Sequence, residues 1–263
     1  VYMIFTEEPS HTFPNQKKYH DRIVFSVETP FQKIDITKWK GDYWVYADNI
    51  IQFSTLDEQM YYEPFVHPAI FLATRRSNIL VIGGENGIIL RELKKHQEIR
   101  KIDLVALDTG LLAIAKKQSI FTSINEKAFD SNKVNIYNSS AFNHLNDFEN
   151  HYDLIIIDTP DPVDLEVNRY FSIEFYELCF KALTNEGIMV TQAGSPYYAT
   201  KAFQAIYNTI ERAGFSTLPF HNQVVTMGEW GWVIGSKSLN KKEMKKKILA
   251  FQFKEINTKW INN

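Results

Sequence analysis

Two carboxylates three residues apart, Asp158 and Asp161, close an apolar run: Tyr152-Asp153-Leu154-Ile155-Ile156-Ile157-Asp158-Thr159-Pro160-Asp161-Pro162. A pair of acids held at a rigid turn suits a cationic substrate better than it suits stability. Asp161 alone would read as an ordinary helix cap. The pair with its two prolines favours function, since proline stops regular structure and stiffens the turn. The run before it is β-branched without polar alternation, the mark of a strand covered on both faces in a parallel sheet. Such sheets bind ligands beyond the carboxyl ends of their strands.

A second feature lies upstream. Ile79-Leu80-Val81-Ile82 runs into Gly83-Gly84-Glu85-Asn86-Gly87 and then a helical pattern. Glycines at a strand-to-helix turn let the backbone approach a ligand closely, although many such turns carry glycine for packing alone. The spacing is not the dinucleotide fingerprint, and the Lys-Ser/Thr of a phosphate loop is missing. Asp108 ends the next apolar segment about 20 residues on, the spacing at which an acid reaches ribose hydroxyls. Glycine turn and acid together point to a nucleoside. Without phosphate-binding features, the expectation moves from NAD towards an adenosyl sulfonium such as S-adenosylmethionine.

The elements that position these groups fall into two regions. Residues 1–62 carry short segments rich in Ile, Val, Trp, Tyr and Phe at 22–28, 32–39, 43–47 and 50–53, separated by turn residues. This pattern predicts an antiparallel β domain. In residues 63–263, strands at 78–82, 102–107, 134–137, 154–157 and 188–191 alternate with helices at 88–96, 111–118, 170–183 and 198–213, which predicts an α/β, doubly wound catalytic sheet. Segments 216–220 and 232–236 have no helix between them and read as an antiparallel edge pair. The lysine-rich stretch from Lys241 reads as the wet face of an amphipathic helix, with Met244, Ile248, Leu249 and Phe253 inward.

Composition narrows the function. Lys plus Arg number 29 against 31 acids, so bulk charge does not indicate a nucleic-acid partner. Cys179 is the one cysteine, which excludes an internal disulfide and a cysteine metal cluster; it reads as a reduced core residue. No run approaches the roughly 20 apolar residues of a membrane span, and no signal peptide is recognisable. A soluble, reducing, cytoplasmic setting is expected. His67, His96 and His151 read as structural, with no metal-ligand spacing between them.

Several segments together resemble the spermidine synthase (polyamine aminopropyltransferase) family, most closely its bacterial members. Thr29-Pro30-Phe31-Gln32-Lys33-Ile34 is similar to the family's SPYQ-type entry strand. Asn49 to Ser54 and Asp57-Glu58-Gln59-Met60-Tyr61-Tyr62-Glu63 resemble its GxxQ…DExxYHE segment, the glycine turn its GGGDG, and Asp158 to Pro162 its D-x-x-D-P turn. Gln192-Ala193-Gly194-Ser195-Pro196-Tyr197 and Gly228-Glu229-Trp230-Gly231 resemble later blocks. The resemblance implies a small N-terminal β domain on a Rossmann-like methyltransferase sheet, and a homodimer or homotetramer. It implies aminopropyl transfer from decarboxylated S-adenosylmethionine, as co-substrate, to a diamine such as putrescine, with no metal.

By that resemblance Asp158 is the proton acceptor, while Tyr61, Asp161 and Gln192 hold the amine. Gln32, Asp108, Gly83 and Gly84 contact the nucleoside, with Ser140 and Ala141 beside it, and Gln52 lies near the boundary between the ligands. Three positions depart from the pattern. Asn86 replaces the family's Asp, Tyr62 its His or Gln, and Ser140 the acid expected to receive the adenine amino group. Tyr62 and Asn86 are nevertheless expected to line the substrate site. Two other readings stay open: another adenosyl-sulfonium transferase moving a methyl or carboxyaminopropyl group, and a non-catalytic polyamine- or nucleoside-binding module.

Overall fold

The computed structural model of the chain describes residues 13–161, 165–252 and 256–261. Among them two compact units separate: residues through Glu58 with Gln223–Gly228, and Gln59–Asn222 with the residues from Glu229 onward.

The first unit is an antiparallel meander of β1 (Arg22–Glu28), β2 (Lys33–Trp39), β3 (Asp42–Ala47) and β4 (Ile50–Ser54), in that spatial order. Two-residue turns join β2 to β3 through Lys40-Gly41 and β3 to β4 through Asp48-Asn49, all four residues at positive φ. That is the geometry whose twist matches flanking strands. Asp57 belongs to this unit and binds Thr226, its Oδ2 accepting the backbone N–H at 2.7 Å and its Oδ1 the hydroxyl at 2.9 Å.

The second unit begins with α1 (Gln59–Leu72), followed by β5 (Asn78–Gly83), α2 (Ile88–Lys94), β6 (Lys101–Val105), α3 (Thr109–Ala115), α4 (Ser119–Ile124), β7 (Val134–Tyr137) and α5 (Ala141–Asn146). Then come β8 (Tyr152–Asp158), α6 (Leu165–Asn168), α7 (Ile173–Ala182), β9 (Leu183–Gln192), α8 (Thr200–Arg212), β10 (Ser216–Val224), β11 (Gly228–Ser236) and α9 (Lys241–Ala250). The sheet order is β10-β11-β9-β8-β5-β6-β7. From β9 to β7 neighbouring strands run parallel, and β11 joins β9 antiparallel. This is the expected Rossmann-like α/β sheet with its antiparallel edge pair. Chain order reverses between β5 and β8, so the ligand crevice of such a sheet opens there. Residues Leu154 to Ile157 of β8 are fully buried, as an apolar run between two helical layers requires.

Helix α1 departs from the sequence reading, which placed no element there. Pro64 and Pro68 lie inside it, and an interior proline removes a helical hydrogen bond. The carbonyl of Met60, which residue 64 would normally satisfy, instead accepts the Asn222 side-chain amide at 2.8 Å. At the same helix, the buried Glu63 carboxylate accepts the backbone N–H groups of Lys259, Trp260 and Ile261 at 2.7, 2.7 and 2.9 Å. Tertiary bonding and burial override the low propensity.

One further correction concerns side chains of the last helix. Leu249 of α9 is 75% exposed rather than inward, while Met244 is buried, Ile248 is half-buried and Phe253 lies outside the described residues. His96 is buried. Its Nε2 is 2.9 Å from Nδ1 of the buried His67, whose Nε2 is 3.0 Å from Glu92. Burial and the neighbouring His67 push the His96 pKa down to about 4, which keeps the pair from carrying two charges. Among the described residues, no helix is long and apolar enough to cross a membrane.

Candidate active site

Several of the groups singled out in the sequence stand at the carboxyl ends of β5 and β8, where the strand order reverses. Gly83 ends β5 and is the register partner of Asp158, which ends β8. Gly83 has φ +78°, and a Cβ there would stand 2.1 Å from the Asp158 carbonyl oxygen. Glycine is therefore needed for backbone conformation and for strand approach at once. A Cβ on Gly84, at φ +70°, would stand 3.7 Å from Asp158 Oδ2. The base candidate faces the glycine turn.

Asp158 Oδ1 accepts the Tyr61 hydroxyl at 3.3 Å, and among the described residues the carboxylate forms no ion pair. Loss of solvent pushes its pKa from 3.8 up to about 7; the neighbouring Glu85 adds to this, and the Tyr61 hydrogen bond opposes it. Burial, followed by the nearby acids, pushes the Tyr61 phenol well above its usual range, so it remains a donor. The Tyr61 ring sits among Tyr62, Phe65, Trp230 and Trp232, with centroids 4.8, 5.8, 6.0 and 5.2 Å away. An apolar chain ending in a cation fits such walls beside a carboxylate.

Asp161 is exposed on the turn beyond β8, and Pro162 lies outside the described residues. The buried Gln192, at the end of β9, donates its Nε2 to Thr159 O at 2.8 Å and to Asp161 Oδ1 at 3.3 Å. Its Oε1 accepts the Gly194 N–H at 2.9 Å. Gln192 thus joins the acidic turn to the next strand and fixes where Asp161 points.

On the other side of β5, Asp108 is buried and caps α3, its Oδ1 accepting from Gly110 at 2.8 Å and Leu111 at 2.9 Å. An open cleft of ≈ 230 Å³ beside it is lined by Ala106, Leu107, Thr109, Ser139, Ser140 and Tyr170, among others. Ser140 is exposed at the start of α5, and Ala141 is buried behind it.

Both departures at the glycine turn meet. Asn86 donates its amide to the Tyr62 hydroxyl at 2.8 Å and accepts the Ile88 N–H at 2.9 Å through Oδ1. Gln32 and Gln52 belong to the first unit. The Gln32 N–H is bonded to Thr29 Oγ1 at 3.0 Å, and the exposed Gln52 donates its amide to Ile50 O at 3.3 Å.

Sequence reasoning gave no role to Trp230 or to Glu85. The buried Glu85 carboxylate accepts the backbone N–H of Leu107 and, at 3.0 Å, that of Asp108. An acid inside a glycine turn was the available signal. Among the described residues, no cluster of three or more His, Cys, Asp or Glu is arranged to hold a metal ion.

The model of the spermine/spermidine synthase domain matches residues 58–247. Polyamine aminopropyltransferase 2 of Aquifex aeolicus (strain VF5) is 39% identical over 226 residues, 86% of this chain and 45% of that protein. A polyamine aminopropyltransferase of Oceanobacillus iheyensis is 36% identical over 89% of this chain and 46% of its own length. The chain thus spans about half the length of the curated relatives it matches. A spermidine synthase solved with the transition-state analogue AdoDATO superposes with a TM-score of 0.83 at 27% identity, over 92% of this chain and 82% of that one. Spermidine synthase from Thermotoga maritima gives 0.81, also at 27% identity, over 92% and 81%.

Proposed function

The chain belongs to the spermine/spermidine synthase domain family, and on that premise we propose that it transfers an aminopropyl group from decarboxylated S-adenosylmethionine to a diamine such as putrescine. One observation carries this reading: Asp158 stands at the strand reversal against the glycine turn, between the nucleoside cleft and the turn bearing Asp161.

In the reaction, the lone pair of an amine nitrogen attacks the methylene next to the sulfonium. The C–N bond forms, the C–S bond breaks, and its electron pair leaves on sulfur as the neutral thioether methylthioadenosine. The nitrogen proton goes to Asp158. An amine with a lysine-like pKa of about 10.4 costs about 4–5 kcal/mol to deprotonate at pH 7. A carboxyl near 7 rather than 3.8 narrows the gap to the amine by about 3 units, or roughly 4 kcal/mol. Tyr61 orients the base, and its aromatic surround holds the methylene chain. Asp161, aimed by Gln192, binds the far ammonium and sets an in-line approach. Asp108, Gly83, Gly84, Ser140 and Ala141 serve the nucleoside, and Tyr62 and Asn86 face the donor's tail.

The family reading extends to a cytoplasmic setting and a homodimer or homotetramer. The test is release of methylthioadenosine, followed by mass spectrometry, from decarboxylated donor with putrescine. Release that depends on putrescine is expected. No release, or release of S-adenosylhomocysteine from intact donor instead, sinks the proposal.

A further inference from the structure

We propose that Glu85 holds the ribose of the nucleoside: one oxygen of its carboxylate is anchored to the protein, and the other accepts a hydroxyl of the sugar's vicinal diol. That role rests on the nucleoside reading of the cleft beside Asp108 and deepens it.

The anchor comes from strand pairing. β5 and β6 run parallel side by side, so the turn after β5 and the end of β6 meet at the carboxyl edge of the sheet. Glu85, in that turn, is 7% exposed. Its Oε1 accepts the backbone N–H of Leu107 and, at 3.0 Å, that of Asp108. Two bonds on one oxygen hold the carboxylate against the end of β6, because swinging away would leave two backbone donors unpaired. The second oxygen, Oε2, bonds no other residue among the described residues, and it is not one of the unpartnered side-chain atoms sealed from solvent. A largely buried carboxylate with one oxygen unused and open calls for a donor from outside. Position says which donor. Leu107, to which Glu85 is bonded, also lines the open cleft with Ala106, Thr109 and Ser140. With the base in that cleft and the sulfonium at Asp158, opposite Gly83, the sugar between them lies over the ends of β5 and β6, where the carboxylate stands. Carboxylates are the groups that read ribose hydroxyls at the ends of such strands. Asp108 has one oxygen committed elsewhere, since its Oδ1 takes the N–H groups of Gly110 and Leu111 as the cap of α3. Glu85 supplies the acceptor that this capping withdraws.

Calorimetric titration of methylthioadenosine and of its dideoxy analogue, which lacks the diol, tests this, because the ratio of the two dissociation constants isolates the sugar hydroxyls. In the wild type the dideoxy compound is expected to bind about tenfold more weakly or worse, as loss of a hydrogen bond to a charged group requires. Glu85→Gln keeps an oxygen for Leu107 and Asp108 but puts an amide donor where Oε2 accepts. In that variant the ratio should fall towards one, with the dideoxy compound bound as before. An unchanged ratio overturns the inference, and so does equal weakening of both compounds, the mark of a merely structural role. Should Glu85→Gln fail to fold, carbon-13 NMR of carboxyl-labelled wild type serves. The Glu85 signal, assigned through the backbone, is expected to shift with methylthioadenosine and to stay in place with the dideoxy compound. The same response to both overturns the inference equally. Methylthioadenosine release in the transfer assay with a ratio indifferent to Glu85 overturns this role alone; a Glu85-dependent ratio without release overturns the transfer reading alone.

Discussion

The Asn86 side-chain amide and the Tyr62 hydroxyl are joined at 2.8 Å, so two positions at which the chain departs from the family pattern form one neutral unit. A carboxylate at 86 would hold an ammonium tail and repel a donor carboxylate; the amide bound to a phenol does neither. Donor choice is therefore expected to be relaxed, admitting intact S-adenosylmethionine beside the decarboxylated form. Asn86→Asp keeps the acceptor for the Ile88 N–H and restores the charge. It should favour the decarboxylated donor by about 1.5–3 kcal/mol, the worth of a charged hydrogen bond, or roughly 10- to 150-fold. Calorimetric titration of both donors into both proteins measures this. The same preference for the decarboxylated donor before and after the change would remove the idea.

Asp158→Asn separates chemistry from binding. Loss of a general base should lower kcat by about 10²–10⁴-fold and leave donor affinity nearly intact. A full-speed variant would mean that the base is misassigned.

The same substitution has a stability consequence of definite sign. The folded Asp158 carboxyl sits near 7 against an ordinary 3.8, so the folded state binds more protons between those values. Wild-type stability therefore falls as pH rises from about 4 to 7, by up to about 4 kcal/mol at 1.36 per unit. Asp158→Asn lacks this loss. Its Tm should match wild type near pH 4, exceed it increasingly up to pH 7, and hold a constant margin above. Parallel melting curves across that range at pH-independent slopes would contradict the desolvated carboxyl.

Asp161→Asn addresses the acceptor. The amide can still accept from Gln192, whose Nε2 lies 3.3 Å from Asp161 Oδ1, so the turn should persist while the charge is lost. Acceptor KM is expected to rise about tenfold or more, consistent with the worth of a charged contact, with donor affinity unaffected. Steady-state kinetics at varied putrescine decides this, and an unchanged acceptor KM contradicts the role.

The sheet was legible because its strands are β-branched runs long enough to be buried on both faces, and Asp158 was legible because it ends one of them. Helix α1 was not, because Pro64 and Pro68 argue against a helix and the bond that compensates comes from Asn222, far along the chain. Without α1, nothing in the sequence brings Tyr62 to Asn86, 24 residues apart. Glu85 was passed over because an acid in a glycine turn has no local partner; Leu107 and Asp108 reach it only once β5 and β6 pair. Leu249 misled because helical spacing marks a face without saying whether anything packs on it.

The bond that permits α1 can itself be tested. Tyr61 of α1 bonds Asp158 at 3.3 Å, so that contact needs the helix to hold, yet Pro64 leaves the Met60 carbonyl without a helical donor and Asn222 supplies one at 2.8 Å. Asn222→Ala should cost about 1–3 kcal/mol, the penalty for an acceptor stripped of its partner, and lower Tm by roughly 2–4 °C per kcal/mol. Pro64→Ala restores a backbone N–H at the position that normally serves this carbonyl. In that background Asn222→Ala should cost about 1 kcal/mol less, a coupling that a double-mutant cycle resolves by denaturant unfolding. Simple additivity of the two changes would mean that Asn222 acts on α1 by packing alone. If the coupling is present, Asn222→Ala alone should also lower kcat through Tyr61, and Pro64→Ala should recover it.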